Sequence, residues 1–195
     1  MNTKQVFCSY PVTEAAAQDG YRFCPCCGNR LERRESSGRV RPVCPVCGFV
    51  YYRNPSPGVT VLIVEEGRVL LGKRGPGSFE AGKWGLPGGF VEWDEDILTA
   101  ARREVAEETG LAIELVATLN VCSNFLAPNL HTIVPVFLGR PYGGTLRAGD
   151  DIEALGWFPL SGPFPELAFI ADEHIIRCYA AGVATGIPLA GPREA

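Results

Sequence analysis

Between Gly88 and Leu111 the chain reads GGFVEWDEDILTAARREVAEETGL. Glu104, Glu107 and Glu108 recur there at i, i+3 and i+4, a spacing that gathers three carboxylates on one face of a helix. Like charges so placed repel, by roughly a few tenths of a kcal/mol per pair on an exposed helix. Arg103 stands four residues before Glu107 and can hold one carboxylate in an ion pair. The approach to the helix is LPGG, residues 86–89, and two glycines there let a backbone carbonyl come close to the carboxylates. Carboxylates plus a carbonyl make an all-oxygen shell, which suits magnesium or manganese. A solvated acidic face is the alternative, and the glycine approach weighs against it.

A second set of ligand-type residues lies upstream. CPCCG (24–28) and CPVCG (44–48) both match C-P-x-C-G, with sixteen residues between the two cysteine pairs. Cys24, Cys27, Cys44 and Cys47 can place four thiolates tetrahedrally around one zinc ion, and the glycines allow the tight turns. Metal binding would supply the folding free energy that a segment this short lacks. Cys26 does not fit the repeated pattern. Cys8, Cys122 and Cys178 are isolated and read as small buried hydrophobes.

The 195 residues suit one ordinary domain plus a small module. No apolar run reaches the length of a membrane span and the N-terminus has no secretory pattern, so a cytoplasmic, non-membrane protein is expected. The net charge of −4 is unevenly spread. Residues 21–54 hold seven arginines and two glutamates, for +5, and residues 1–20 carry −1, which leaves −8 on residues 55–195. A body this acidic is no general polyanion binder, and acting on phosphates would require cations to mediate the contact. The basic arginines read as a solvated or interdomain face, and Phe23, Phe49, Tyr51 and Tyr52 as its packing. Nucleic acid is not the expected partner.

These groups must be positioned by the rest of the chain. Residues 1–20 read as a loosely held lead-in, 21–54 as a zinc ribbon, and 55–195 as the main domain. GVTVLIVEE (58–66) and RVLLGKR (68–74) form a hairpin pattern around Gly67. A glycine-rich loop covers 75–85, and LPGGFVE is a short strand or loop. The helix runs from about Asp96 to Thr109, stopped by Gly110 and favoured at its start by Asp94, Glu95 and Asp96. Leu98, Ala101 and Val105 share the flank that would pack on a sheet. Residues 111–121, 131–139 and 154–160 read as strands. Residues 169–182 read as an amphipathic helix with Ile170, Ile175, Ile176 and Tyr179 inward. Strands mixed with two helices indicate an α/β or α+β layered fold.

Residues 89–111 also match a known pattern at every fixed position. The Nudix box, G-x5-E-x7-R-E-U-x-E-E-x-G-U with U aliphatic, is met by Gly89, Glu95, Arg103, Glu104, Val105, Glu107, Glu108, Gly110 and Leu111. The chain from about 58 to 180 therefore resembles a Nudix hydrolase domain, and the preceding ribbon resembles that of a subgroup of these enzymes. The resemblance implies an αβα sandwich with a mixed sheet, and metal-dependent hydrolysis of the diphosphate linkage in a nucleoside diphosphate derivative. It implies Glu104, Glu107 and Glu108 as metal ligands with the Gly88 carbonyl as a further one. Arg103 would orient a glutamate, and Glu95 would stabilise the loop and helix. The general base would be Glu104, or an acid of the later loop, where Asp150, Asp151 and Glu153 lie and Glu153 is the candidate. These enzymes are often dimers, so a homodimer is compatible with the resemblance.

Substrate contacts are open between two readings at each position. Lys73 and Arg74 end a strand near the cleft and would touch phosphate or solvent. Trp84 and Phe90 flank the glycine loop and would stack on a base or pack the core. His131 opens a strand and would contact substrate or simply mark the strand edge. Related NADH pyrophosphatases carry S-Q-P-W-P-F-P after the box, where this chain has SNFLAPN (123–129). That departure counts against NADH, and the ribbon-plus-Nudix arrangement with LAF before the last helix resembles FAD and ADP-ribose pyrophosphatases. The competing classes are NADH hydrolysis, a non-catalytic nucleotide sensor, and an RNA-binding ribbon protein. The intact Arg103, Glu104, Glu107 and Glu108 favour an enzyme.

Overall fold

The computed structural model describes residues 4–10 and 20–189. Two consecutive apolar runs organise it. Strand β5 (Thr60–Glu65) and strand β6 (Arg68–Arg74) form the hairpin read from Gly67, whose φ of 73° suits glycine. Both strands are buried on both faces, so successive side chains enter two different cores. Val61, Ile63 and Leu70 face one cluster, while Leu62, Val69 and Leu71 face the other.

Each cluster is closed by one helix. The first takes Ala100, Ala101 and Val105 of helix α1 (Ile97–Thr109), with Leu98 packed at its margin. The second takes Ala171, Ile175 and Ile176 of helix α2 (Ile170–Ala180). The layers are therefore helix, sheet, helix, as the αβα expectation requires. Ile170 departs from the reading: it is 55% exposed. It lies five residues before Ile175, about 140° round the helix, and so falls off the apolar stripe.

The central sheet runs β1-β8-β9-β5-β6-β10 and is mixed. Strand β8 (Leu111–Ala127) and strand β9 (Leu130–Gly144) are antiparallel, β9 and β5 parallel, and strand β10 (Ile152–Pro159) antiparallel to β6. Short strands β4 (Ser56–Pro57), β7 (Trp84–Gly85) and β11 (Ile187–Pro188) add to its margins. β8 and β9 extend past the expected 111–121 and 131–139, because beyond those bounds polar residues and glycines such as Asn124, Gly143 and Gly144 interrupt the apolar alternation. SNFLAPN is consequently the end of a strand, joined to β9 through Pro128 and Asn129. Strand β1 (Val6–Cys8) pairs with β8 and buries Phe7, so that part of the lead-in is held in the sheet. Cys8 is exposed and not a core residue; Cys122 is buried, as expected. Residues 1–3, 11–19 and 190–195 lie outside the description.

In the ribbon, strands β2 (Glu32–Ser36) and β3 (Arg39–Val43) form a separate antiparallel pair. Its two knuckles repeat each other. Gly28 N–H donates to the Cys24 carbonyl and Gly48 N–H to that of Cys44, with φ of 73° and 77° at the two glycines. The thiol sulfurs of Cys24, Cys27, Cys44 and Cys47 all lie within 4.8 Å of one another. Asn29 Nδ2 donates to Cys27 Sγ and pulls that thiol down to about 6, towards the thiolate that a metal requires. Cys26 is exposed outside the four. The expected aromatic packing is partial: Tyr51 meets Tyr21 edge to face, but Phe23 and Tyr52 are exposed. A module this thin has too little interior to cover them.

Among the described residues no helix is long and apolar enough to cross a membrane. Ile176 is fully buried between α2 and the sheet. Ile176→Ala is expected to cost about 2–5 kcal/mol, read as a lower denaturant midpoint at unchanged slope.

Candidate active site

α1 starts and stops where its residues dictate. The Asp96 side chain accepts from the N–H groups of Leu98 and Thr99, and Gly110 ends the helix at φ 70° with its N–H on the Ala106 carbonyl. Between those caps the carboxylate face turns towards the LPGG segment. Glu104 and Glu108 are buried, while Glu107 is exposed.

Arg103 is the hub. Its Nε and Nη2 donate to Glu95 at 3.0 and 2.6 Å, its Nη1 to Glu104 and Glu107 at 2.9 Å each, and its Nη2 also to the Phe90 carbonyl at 3.1 Å. All five guanidinium N–H donors are thereby used. Glu95 is itself fixed by the Glu92 N–H and its carboxyl is held below the usual range by Arg103. The crowded glutamates are thus partly neutralised by one cation held in place from outside the cluster.

The glycines let the loop come this close. A Cβ on Gly89 would stand 2.5 Å from a Glu104 carboxylate oxygen, and one on Gly88, at φ 151°, would run into the Val59 carbonyl. Gly88 N–H donates to Glu108 Oε2 at 2.9 Å. The segment also pairs irregularly with β5, Val59 N–H donating to the Gly89 carbonyl and Val61 N–H to that of Pro87. From the opposite face Asp172 Oδ2 accepts the Leu86 N–H at 2.9 Å. Carboxylates of both helices therefore clamp LPGG.

Burial shifts these acids. Glu104 is pushed up mainly by desolvation, against the pull of Arg103, with Glu107 and Asp150 adding repulsion. Glu108 is pushed up to about 8 by desolvation, against its Gly88 hydrogen bond, with Glu104 and Asp151 adding repulsion. Such a cluster favours a cation, and hard carboxylate oxygens suit magnesium or manganese. Among the described residues the four cysteines are the group drawn within mutual ligand distance; the glutamates are spread more widely.

The other residues singled out in the sequence fall into three places. Arg74 and Phe90 line a pocket of about 160 Å³ bounded by Gly88 and Gly89. Arg74 is fixed there by Asp151 at 3.1 Å and by the Phe79 carbonyl at 2.6 Å. Lys73 and Glu153 form an ion pair with each other at 2.5 Å. Trp84 packs edge to face on Phe158 at the second core. His131 stacks on Phe125, with ring centroids 3.8 Å apart, in a separate cavity with Arg53 and Tyr10. Sequence reasoning passed over Asn124, Asp172, Phe79 and Phe169, which also line the first pocket. One signal was available: Asp172 occupies the apolar stripe of α2 three residues before Ile175, where an acid has no packing reason to be.

Comparison with known proteins gives the family. The family model for the NUDIX domain matches residues 54–178, and the chain belongs to the Nudix family of hydrolases. An ADP-ribose pyrophosphatase of Methanocaldococcus jannaschii is 40% identical over 129 residues, covering 66% of this chain and 75% of that protein. An NAD-capped RNA hydrolase NudC of Chromobacterium violaceum is 34% identical over 141 residues, 72% of this chain and 51% of that protein. The chain thus spans about half the length of that second relative. A NUDIX hydrolase from Nitrosomonas europaea of known crystal structure superposes with a TM-score of 0.72 at 26% identity, covering 88% of this chain and 97% of the other.

Asp172 supplies a pH test away from the glutamates. Burial raises its carboxyl to about 7, against an ordinary value of 3.8. A raised acid stabilises the fold fully below its unfolded value, and that contribution is lost as the unfolded state ionises first. Unfolding free energy of the metal-free protein should therefore lose a contribution between about pH 4 and pH 7. In Asp172→Asn, measured by denaturant titration at both ends of that window, this part of the pH dependence should disappear.

Proposed function

We propose that the protein hydrolyses the diphosphate bridge of an adenosine diphosphate derivative, ADP-ribose or FAD, using magnesium or manganese ions. The observation that carries this reading is the junction at Gly88 and Gly89. Buried carboxylates abut these glycines on one side, and a pocket sized for one aromatic ring opens on the other. Glu104, Glu107 and Glu108 would hold the ions, with the Gly88 carbonyl as a further ligand. Bound there, the ions would neutralise the diphosphate, orient it and lower the pKa of an attacking water.

The chain's own residues do the rest. Arg103 is a positioning residue: it holds Glu104 and Glu107 in place and takes its own position from Glu95. Glu104 is the favoured base: it is buried, and desolvation raises its affinity for a proton. Glu153 would have to leave Lys73 to serve. Arg74 would face the phosphates at the pocket mouth, with Phe90 against the base. NAD shares the same adenosine diphosphate half, which keeps NADH-type substrates as the second reading; the relatives named for NAD-capped RNA support it, and SNFLAPN argues against it.

The four thiolates of residues 21–54 would hold zinc in a structural site, closed by four protein ligands with none left for substrate. Reduced thiols of this kind fit a cytoplasmic protein.

Turnover of ADP-ribose and FAD with magnesium or manganese tests the reaction. Glu107→Gln should lower kcat by about a hundredfold or more, without altering the fold, because Glu107 is exposed. Undiminished turnover in that variant would refute the assigned role. Zinc measured per chain should be close to one and fall sharply in Cys44→Ser, while an unchanged content would refute the ribbon site.

A further inference from the structure

The pocket beside Gly88 and Gly89 has more in its wall than the diphosphate chemistry uses. Its volume of about 160 Å³ is close to the ~150 Å³ of an apolar cavity that accepts a benzene-sized ring. Most of the lining is apolar, but Asn124 and Asp172 are polar and more than nine-tenths buried. Asn124 Nδ2 donates to Thr132 Oγ1 at 3.4 Å, and its Oδ1 is buried with no hydrogen-bond partner. A buried carbonyl left unpaired costs about 1–3 kcal/mol, which a ligand able to donate to it would recover. Asp172 commits Oδ2 to the Leu86 N–H.

The two side chains belong to one neighbourhood. In the β8–β9 register Asn124 is opposite Thr132 and Cys122 opposite Val134, two places along the same pleated face. Cys122 has its thiol pushed up to about 12 by burial and by the charge of Asp172. Asp172 itself, raised to about 7, carries its proton in much of the population near neutrality. The wall therefore offers one unpartnered hydrogen-bond acceptor, Asn124 Oδ1, and beside it a carboxyl able to donate.

We propose that Asn124 and Asp172 read the base of the substrate: Asn124 Oδ1 accepts from an exocyclic amino group, and the Asp172 carboxyl donates to the neighbouring ring nitrogen. Adenine presents that edge, while hypoxanthine reverses both of its groups. The inference rests on the adenosine diphosphate reading above and adds the residues that select the base.

Titration calorimetry of the full chain with AMP and with IMP, in magnesium, tests it. AMP should bind at least about tenfold tighter, the equivalent of one net hydrogen bond. Asn124→Leu should shrink the preference, chiefly by weakening AMP, and leave the part that Asp172 supplies. Asp172→Asn, which keeps both an acceptor for Leu86 and a donor for the ring, should retain the preference; its loss there would overturn the donor role of Asp172. Equal binding of AMP and IMP by the unmodified protein, binding of neither, or a preference undiminished in Asn124→Leu would overturn the proposal. Hydrolysis of ADP-ribose by the same preparation separates the two readings. Turnover without base discrimination refutes base recognition alone, and an AMP preference without turnover refutes the diphosphate reading alone.

Discussion

The site depends on one guanidinium. Three glutamates within a helical turn and a half repel one another, and two of them are also removed from water. Arg103 offsets both effects by contacting Glu104 and Glu107 while Glu95 anchors it. Every donor it has is used, so its position is over-determined. This matters more than the strength of any one ion pair, since exposed pairs contribute little by themselves. The geometric precision is what a metal-dependent site requires, because carboxylates that wander would hold an ion poorly.

LPGG is the second constraint. It carries no functional side chain of its own; it matters because its backbone can pass between two acids. Glu108 takes the Gly88 N–H from the α1 side and Asp172 takes the Leu86 N–H from the α2 side. Both acids are pushed towards their protonated forms by the burial that this clamp demands. The glycines are the condition for it, since a side chain at Gly89 would displace the Glu104 carboxylate. The segment thus lies between the carboxylate face of α1 on one side and the pocket lined by Asn124 and Asp172 on the other.

Much of this was legible in order. The helix bounds from Asp96 to Gly110, the β5–β6 hairpin and the pairing of cysteines into two knuckles follow from caps, alternation and repeated spacing. The sequence pattern ends β8 at Val121, because Ser123 and Asn124 look like loop residues when burial is unknown. Ile170 was placed inward because its neighbours are apolar, although the helical period turns it outward. The sequence leaves Lys73 open between phosphate and solvent and puts Glu153 in a loop, yet both lie on strands that pair, Lys73 opposite Ala154, and there they meet each other.

Local sequence determined the chemistry's raw material: the carboxylates on one helical face, the arginine among them, the glycines before them and the four thiols. Those depend on spacings of a few residues, which helix and turn geometry convert directly into position. Only the tertiary structure decided that Asp172 reaches across 86 residues to Leu86, and that Asn124 is left with a buried oxygen facing no partner. It likewise took His131 and Trp84 away from the pocket. Such outcomes depend on how the long β8–β9 hairpin and α2 pack against the LPGG segment, and no short-range pattern encodes a contact between chain segments brought together by burial.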